Sequence, residues 1–238
     1  PPDLTKQLPV GSYTHTCDVV DFEFFRDKRV LIVGGRQSAF EWGALIREKA
    51  AKEIHVTHRH PTPQFTEPDW SWVQPMVRRT LEDHGWWRRS SDKEKDKIRQ
   101  DFWAVGRLTL EAWLGSRVHQ PNIHIQENTT ITATRTLANG TYEVLLGDDT
   151  TVKVHHIILA TGYVPNMQNV AFLDRTTILR ELQTLNGSPM LNTEFQTNLP
   201  NLYVTGLAAM QDFGPFFGFT VACPVAAQII GDAVAKST

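Results

Sequence analysis

The run Arg29-Val30-Leu31-Ile32-Val33 is short, apolar and rich in β-branched residues, and it stops at Gly34-Gly35. An unbroken apolar run of this length closed by glycine is the pattern of a strand buried on both faces, as in a parallel sheet. From Ser38 to about Ala51 the apolar residues Ala39, Trp42, Leu45 and Ile46 return at helical spacing, and Glu53-Ile54-His55-Val56-Thr57 follows as a second strand. Parallel neighbours need a crossover rather than a tight hairpin. This stretch therefore predicts a βαβ unit, and with it the α/β class.

The rest of the chain arranges itself around that unit. Residues 1–23 carry three prolines and no sustained period, which predicts an extended connection with Gly11 at a turn. His58 to Phe65 is a proline-punctuated loop. The stretch from about Asp69 to Val118 holds six of the seven tryptophans. There Phe102, Trp103, Val105, Leu108, Leu110, Trp113 and Leu114 predict helices with a broad aromatic face. Residues 123–158 change to period two, in Ile123 to Ile125, Thr129 to Thr134, Tyr142 to Leu146 and Thr151 to Leu159. Asn139-Gly140 and Gly147-Asp148-Asp149 lie between them as hairpin turns. One further strand is predicted at Leu202-Tyr203-Val204-Thr205, ending at Gly206, and a long helix from about Phe217 to Ala235.

Composition excludes several classes. With 238 residues, 41% of them apolar, 21% charged and a net charge of −2, the chain reads as one large globular domain or one domain and part of another. Nothing in that balance calls for nucleic acid or an anionic membrane, and the mixed-sign run Arg88 to Arg99 reads as a solvated helix surface. No stretch reaches the roughly 18 apolar residues of a spanning helix, and the opening has no signal-peptide character. A cytoplasmic protein is expected. Cys17 and Cys223 are too far apart for a C-x-x-C pair or a metal knuckle and are expected to be buried small hydrophobes. The opening Pro-Pro-Asp-Leu, without methionine, reads as the inside of a longer chain, so a fragment is expected.

The chemistry begins at Gly34-Gly35-Arg36-Gln37-Ser38-Ala39, which lies directly between a buried strand and a helix. In that context a glycine-rich turn aims backbone N–H groups and the positive end of the helix dipole at a pyrophosphate. Gly34 fills the first glycine place of G-x-G-x-x-G/A, and Ala39 fills the last, where a small side chain lets helix and strand pack closely. Arg36 replaces the middle glycine. Either it points aside and adds a charge-assisted contact, or the cofactor sits differently; an ordinary tight turn is the bland alternative. The second strand runs into His58-Arg59-His60 with no carboxylate. Such domains place an acid there for the ribose of NAD and a base for the 2′-phosphate of NADP, so NADPH is preferred, with Arg59 as its main partner and His58 beside it. A solvent-facing arginine and a His58/His60 metal pair are the competing readings, the latter lacking a third ligand at suitable spacing.

Three segments together resemble the flavin-containing and related class B flavoprotein monooxygenases. Gly11 and His15 match the family's F-x-G-x-x-x-H before the second dinucleotide turn, although Pro9 stands in place of the phenylalanine. Leu159-Ala160-Thr161-Gly162-Tyr163 is similar to the Ala-Thr-Gly-Tyr segment where these proteins pass from the NADPH domain back to the FAD domain. Pro200 to Gly206, before a helix of small residues, is similar to the closing strand and helix of the FAD fold, with Phe216, Phe217, Gly218, Phe219 and Thr220 at its start.

The resemblance implies a Rossmann-like, doubly wound NADPH domain over 24–160, with a tryptophan-rich helical insert at about 68–118. Residues 1–23 would connect to the FAD domain, and 161–238 would be the C-terminal part of that incomplete FAD domain. It implies that NADPH reduces FAD by hydride transfer and that the reduced flavin activates oxygen toward a nucleophilic nitrogen or sulfur or a carbonyl carbon of a small molecule. It places pyrophosphate at Gly34 to Ala39, the nicotinamide side at Thr161, Gly162 and Tyr163, and flavin contacts at Gly206 and Phe219. No general acid or base is nominated. The family's first glycine-rich turn is absent, so FAD binding is expected to be incomplete, with the missing FAD-binding segment or chain as a partner. Homo-oligomerisation stays open. A flavoprotein reductase passing electrons to a partner, and a non-catalytic nucleotide-binding module, are the alternative functions.

Overall fold

The computed structural model describes residues 6, 8–18, 21–174 and 177–237; parts of the expected 1–23 connection, residues 1–5, 7 and 19–20, lie outside them. The chain divides into two compact units, one of residues 1–68 and 106–162, the other of 69–105 and 163–238.

The first unit is built on a five-stranded sheet in the order β1 (Tyr13–His15), β10 (His156–Leu159), β2 (Arg29–Val33), β3 (Glu53–Thr57), β6 (Ile123–Gln126). Every pairing in it is parallel. The predicted βαβ unit is β2, helix α1 (Gln37–Glu48) and β3. Because successive side chains of a strand alternate faces, Val30, Ile32, Ile54, Val56 and Ile158 pack with Ala39, Phe40 and Ala44 of α1 and with Leu114 and Val118 of the helix Ala112–Val118. Leu31, Ile157 and Leu159 face the other way. They meet Val144, Leu146, Val152 and Val154 of a separate antiparallel meander, β7 (Ile131–Thr136), β8 (Tyr142–Leu146) and β9 (Thr151–Val154). The short strands β4 (Gln64–Phe65) and β5 (Thr109–Leu110) pair with each other.

The period-two region is thus two structures. Ile123–Gln126 and His156–Leu159 enter the parallel sheet, whereas the strands between them form the meander, and the expected strand from Thr151 to Leu159 breaks at His155. Its first hairpin turns at Asn139-Gly140, where Gly140 takes φ +78° and the Asn139 carboxamide oxygen accepts from the Thr141 N–H at 3.1 Å. Gly11 sits at a turn as expected, with φ +80° and the Ser12 N–H donating to the Pro9 carbonyl. The connection that follows it adds β1 to the sheet edge.

The second unit gathers residues 69–105 of the tryptophan-rich stretch with 163–238, whereas the sequence placed that stretch as an insert of the first domain. The reason is a common aromatic core. Trp86, Trp87 and Phe102 are buried with Phe195, Phe213, Phe216 and Phe217. Phe195 and Phe213 stack at 3.6 Å, and the Trp87 indole N–H donates to the Gln211 carbonyl at 3.2 Å. Arg88 donates to the carbonyls of Leu191 and Asn192 and pairs with Asp212 at 3.3 Å. The predicted strand Leu202 to Thr205 is reduced to one bridge, Gln196 with Tyr203. The predicted closing helix begins later, as Cys223–Ser237 after two short 3₁₀ turns. Cys17 and Cys223 are both exposed, not buried: the first lies in the turn beyond edge strand β1 and the second at the first residue of the closing helix.

Candidate functional site

Register aligns the ends of the parallel strands. Val33 pairs with Thr57 and Leu159, Thr57 with Gln126, and Leu159 with His15. The segments that follow, Gly34–Ala39, His58–His60, Glu127 and Ala160–Gly162, therefore leave the same carboxyl edge, which is where open α/β sheets bind ligands.

Gly34 is confined there on two counts. Its φ is +150°, and a Cβ would lie 2.4 Å from the Ala160 carbonyl oxygen. That approach is the meeting of the glycine-rich turn with the Ala160-Thr161-Gly162 segment. Arg36 is extended, at φ −119°, and its side chain makes no cap hydrogen bond to the first turn of α1. The N–H groups at a helix start need an outside acceptor, and here the macrodipole adds positive potential to them. Ala39 is fully buried against the sheet, in keeping with its place at the end of the motif. The side chain of Gln37 is committed inward: its amide N–H donates to Glu41 at 2.9 Å and its oxygen accepts from the Glu111 N–H at 3.2 Å. Gln37 and Ser38 can serve a phosphate through their backbone.

Beyond β3 the three basic residues separate. Arg59 is exposed and His60 half-buried, whereas His58 is 4% exposed. Burial is the main cause that lowers the His58 pKa; His60 and Arg36 lower it further, while a hydrogen bond to the His60 backbone and the charge of Glu127 oppose. His58 is accordingly neutral at neutral pH, not the surface cation implied by its place beside Arg59. A Cβ on Gly35 would lie 2.3 Å from the Cγ of His58, so the ring packs directly on the turn.

Sequence reasoning missed that contact, and it missed Glu127. This carboxylate follows β6, accepts from the Thr62 N–H at 2.6 Å, and interacts electrostatically with His58 and His60. The Thr62 hydrogen bonds hold its pKa below the ordinary range. Its neighbours in sequence carry no signal of the role, because the sheet order β3-β6 brings it there.

Thr161 and Gly162 are exposed beyond β10, with Gly162 at φ +84°. Tyr163, Gly206 and Phe219 belong to the second unit. Gly206 opens a 3₁₀ turn at φ +75°, and the half-exposed Phe219 ring lies 5.1 Å from Phe102. The His15 backbone N–H donates to the Asp18 carboxylate at 2.7 Å, and the His15 Nδ1 lies 3.2 Å from the Cys17 sulfur. Among the described residues no group of three or more His, Cys, Asp or Glu has metal-binding geometry, and no helix is long and apolar enough to cross a membrane.

Comparison with known proteins fits this geometry. The pyridine nucleotide-disulphide oxidoreductase family matches residues 104–217, just under half of the chain, including the Ala160-Thr161-Gly162 segment but not the Gly34 turn. No curated protein matches by sequence. Among solved structures, the reduced form of ornithine hydroxylase from Pseudomonas aeruginosa superposes with TM-score 0.72 at 15% identity, covering 99% of this chain and 59% of the other. Ornithine N-hydroxylase from Kutzneria sp. 744, with reduced FAD, NADP⁺ and L-ornithine, gives 0.69 at 15%, covering 97% and 60%. Bacillithiol disulfide reductase from Bacillus cereus gives 0.54 at 14%, covering 96% and 56%. The chain thus spans less than two thirds of the structures it matches. The fold is that of Rossmann-type flavoproteins such as these.

Proposed function

We propose, starting from this flavoprotein fold, that the chain is the NADPH-binding part of a flavin-dependent monooxygenase. The observation that carries the reading is the carboxyl edge of the first unit. A turn that only glycine fits and a helix start that the Arg36 side chain does not cap lie beside an exposed arginine, on adjacent strands. In this reading the backbone N–H groups of the Gly34–Ala39 turn bind the pyrophosphate, with Arg36 adding charge. Arg59 takes the 2′-phosphate, and Thr161 and Gly162 border the nicotinamide. Bound NADPH supplies a hydride; the protein's part is to hold and orient it.

FAD fits less completely. The sequence has one glycine-rich strand-to-helix turn, and the described residues of the second unit form no parallel sheet. Gly206 and Phe219 are proposed as its contribution to a flavin site completed by a further segment or chain. The amine hydroxylases among the structural likenesses favour a nitrogen as the atom oxygenated. A reductase is the second reading, favoured by the description of the matching family. Without a C-x-x-C pair it would pass electrons to a partner protein.

Calorimetric titration of NADPH and NADH into wild type and Arg59→Ala tests the assignment. NADPH is expected to bind at least about tenfold more tightly, the worth of a charged hydrogen bond, and Arg59→Ala to abolish that preference while leaving NADH unchanged. Equal affinities that the substitution does not alter would refute it.

A further inference from the structure

The buried ring of His58 has no part in the nucleotide contacts just assigned, yet it touches both halves of the site. On one side it fills the space at Gly35, where a Cβ would meet its Cγ at 2.3 Å and its Cβ at 2.5 Å. Gly35 is not in the left-handed region of backbone space, so its lack of a side chain serves the ring and not the chain's conformation. On the other side the His58 Nδ1 lies 2.7 Å from the His60 carbonyl oxygen. A carbonyl only accepts, so the proton is on Nδ1. Phe40, on α1, meets the ring edge-on at 6.0 Å. The backbone around it is tied to β6 and its sequel: His58 N–H to Gln126 at 3.1 Å, Thr129 N–H to His58 at 3.0 Å and Asn128 N–H to His60 at 3.3 Å. Arg59 is the residue between the two ends of this brace.

We propose that His58 is a positioning residue for cofactor choice: packed on Gly35 and donating to the His60 carbonyl, it holds Arg59 in register with the Gly34–Ala39 turn and so sets the preference for NADPH over NADH. The inference rests on the nucleotide assignment above. It gives the glycine pair two separate duties. Gly34 admits the Ala160 segment, and Gly35 admits the ring that aligns the 2′-phosphate loop.

Titration of both nucleotides into five variants, with a thermal melt of each, tests this. His58→Phe keeps a ring against Gly35 but cannot donate to His60. The ratio of NADPH to NADH affinity should fall at least about fivefold, in the range for one buried hydrogen bond, with NADH affinity nearly unchanged. His58→Asn, whose amide N–H takes the place of Nδ1–H, should retain more of the ratio than His58→Ala. Gly35→Ala should weaken both nucleotides together, and combining it with His58→Ala should recover NADH binding. A ratio that His58→Phe and His58→Ala leave at the wild-type value, while affinities merely follow the melting temperature, overturns the proposal and leaves the nucleotide assignment standing. A wild type that binds neither nucleotide overturns both. If His58→Phe does not fold, the comparison of His58→Asn with His58→Ala decides, and equal ratios in that pair refute the positioning role.

Discussion

His156 opens β10, which lies between β1 and β2, and it should make the fold sensitive to mild acid. The ring is 6% exposed, faces Phe24 and Phe25 at 5.3 and 5.8 Å, and has its Nε2 2.9 Å from the Thr14 hydroxyl. Burial, with Lys28 adding repulsion, lowers its pKa from the ordinary 6.5 to about 4. Between those values an unfolded chain takes up a proton that the folded chain refuses, so stability is full above the unfolded pKa and falls as pH drops toward 4. From about pH 7.5 to about pH 5 the linkage relation with these two pKa values gives a loss of about 2 kcal/mol, and the full difference is worth about 3 kcal/mol. Urea unfolding at both pH values measures it in wild type and His156→Gln. His55 and His58 are also buried with lowered pKa values and act in the same direction, but they are common to both proteins, so the difference in pH dependence isolates His156. The wild type should lose about 2 kcal/mol more than the variant on acidification. An identical pH dependence in the two would refute the reasoning.

Two substitutions test the turn itself. Gly34→Ala forces a side chain into the Ala160 carbonyl at φ +150°, and neither strand end can move without parting β2 from β10. A cost of about 3 kcal/mol or more, about 6–12 °C in melting temperature, is expected; a melt within about 2 °C of wild type would contradict the close approach. Arg36→Ala should weaken NADPH and NADP⁺ by a similar factor of about tenfold or more, in line with a charge-assisted contact. Tighter binding by Arg36→Gly would instead mark the side chain as an obstruction.

How much was legible depended on how local the cause was. The β2-α1-β3 unit, the Asn139-Gly140 hairpin and the glycine-rich turn follow from contiguous residues, and the structure has them where period and turn chemistry place them. Residues 69–105 of the tryptophan-rich stretch group with 163–238 and not with the first unit, because their partners, Phe195 to Phe217, lie far along the chain and an aromatic face does not say what covers it, whereas 106–118 stay with the first unit. Leu202 to Thr205 has the composition of a strand, but apart from the Gln196–Tyr203 bridge no described segment pairs with it. At the site, Gly34 was recognisable from its place in the motif, but Gly35 owes its identity to a ring beyond the next strand. Burial of His58 and the arrival of Glu127 both depend on sheet order, which short-range pattern does not contain.

The most direct test of the nucleotide assignment is to map NADPH onto the backbone by ¹H–¹⁵N amide shifts. The account predicts the largest perturbations at Gly34 to Ala39, His58 to His60 and Thr161-Gly162, with NADH reproducing the first and third sets and sparing Arg59. Perturbations that bypass the Gly34 turn, or that centre on the Phe213 to Thr220 region instead, would contradict it.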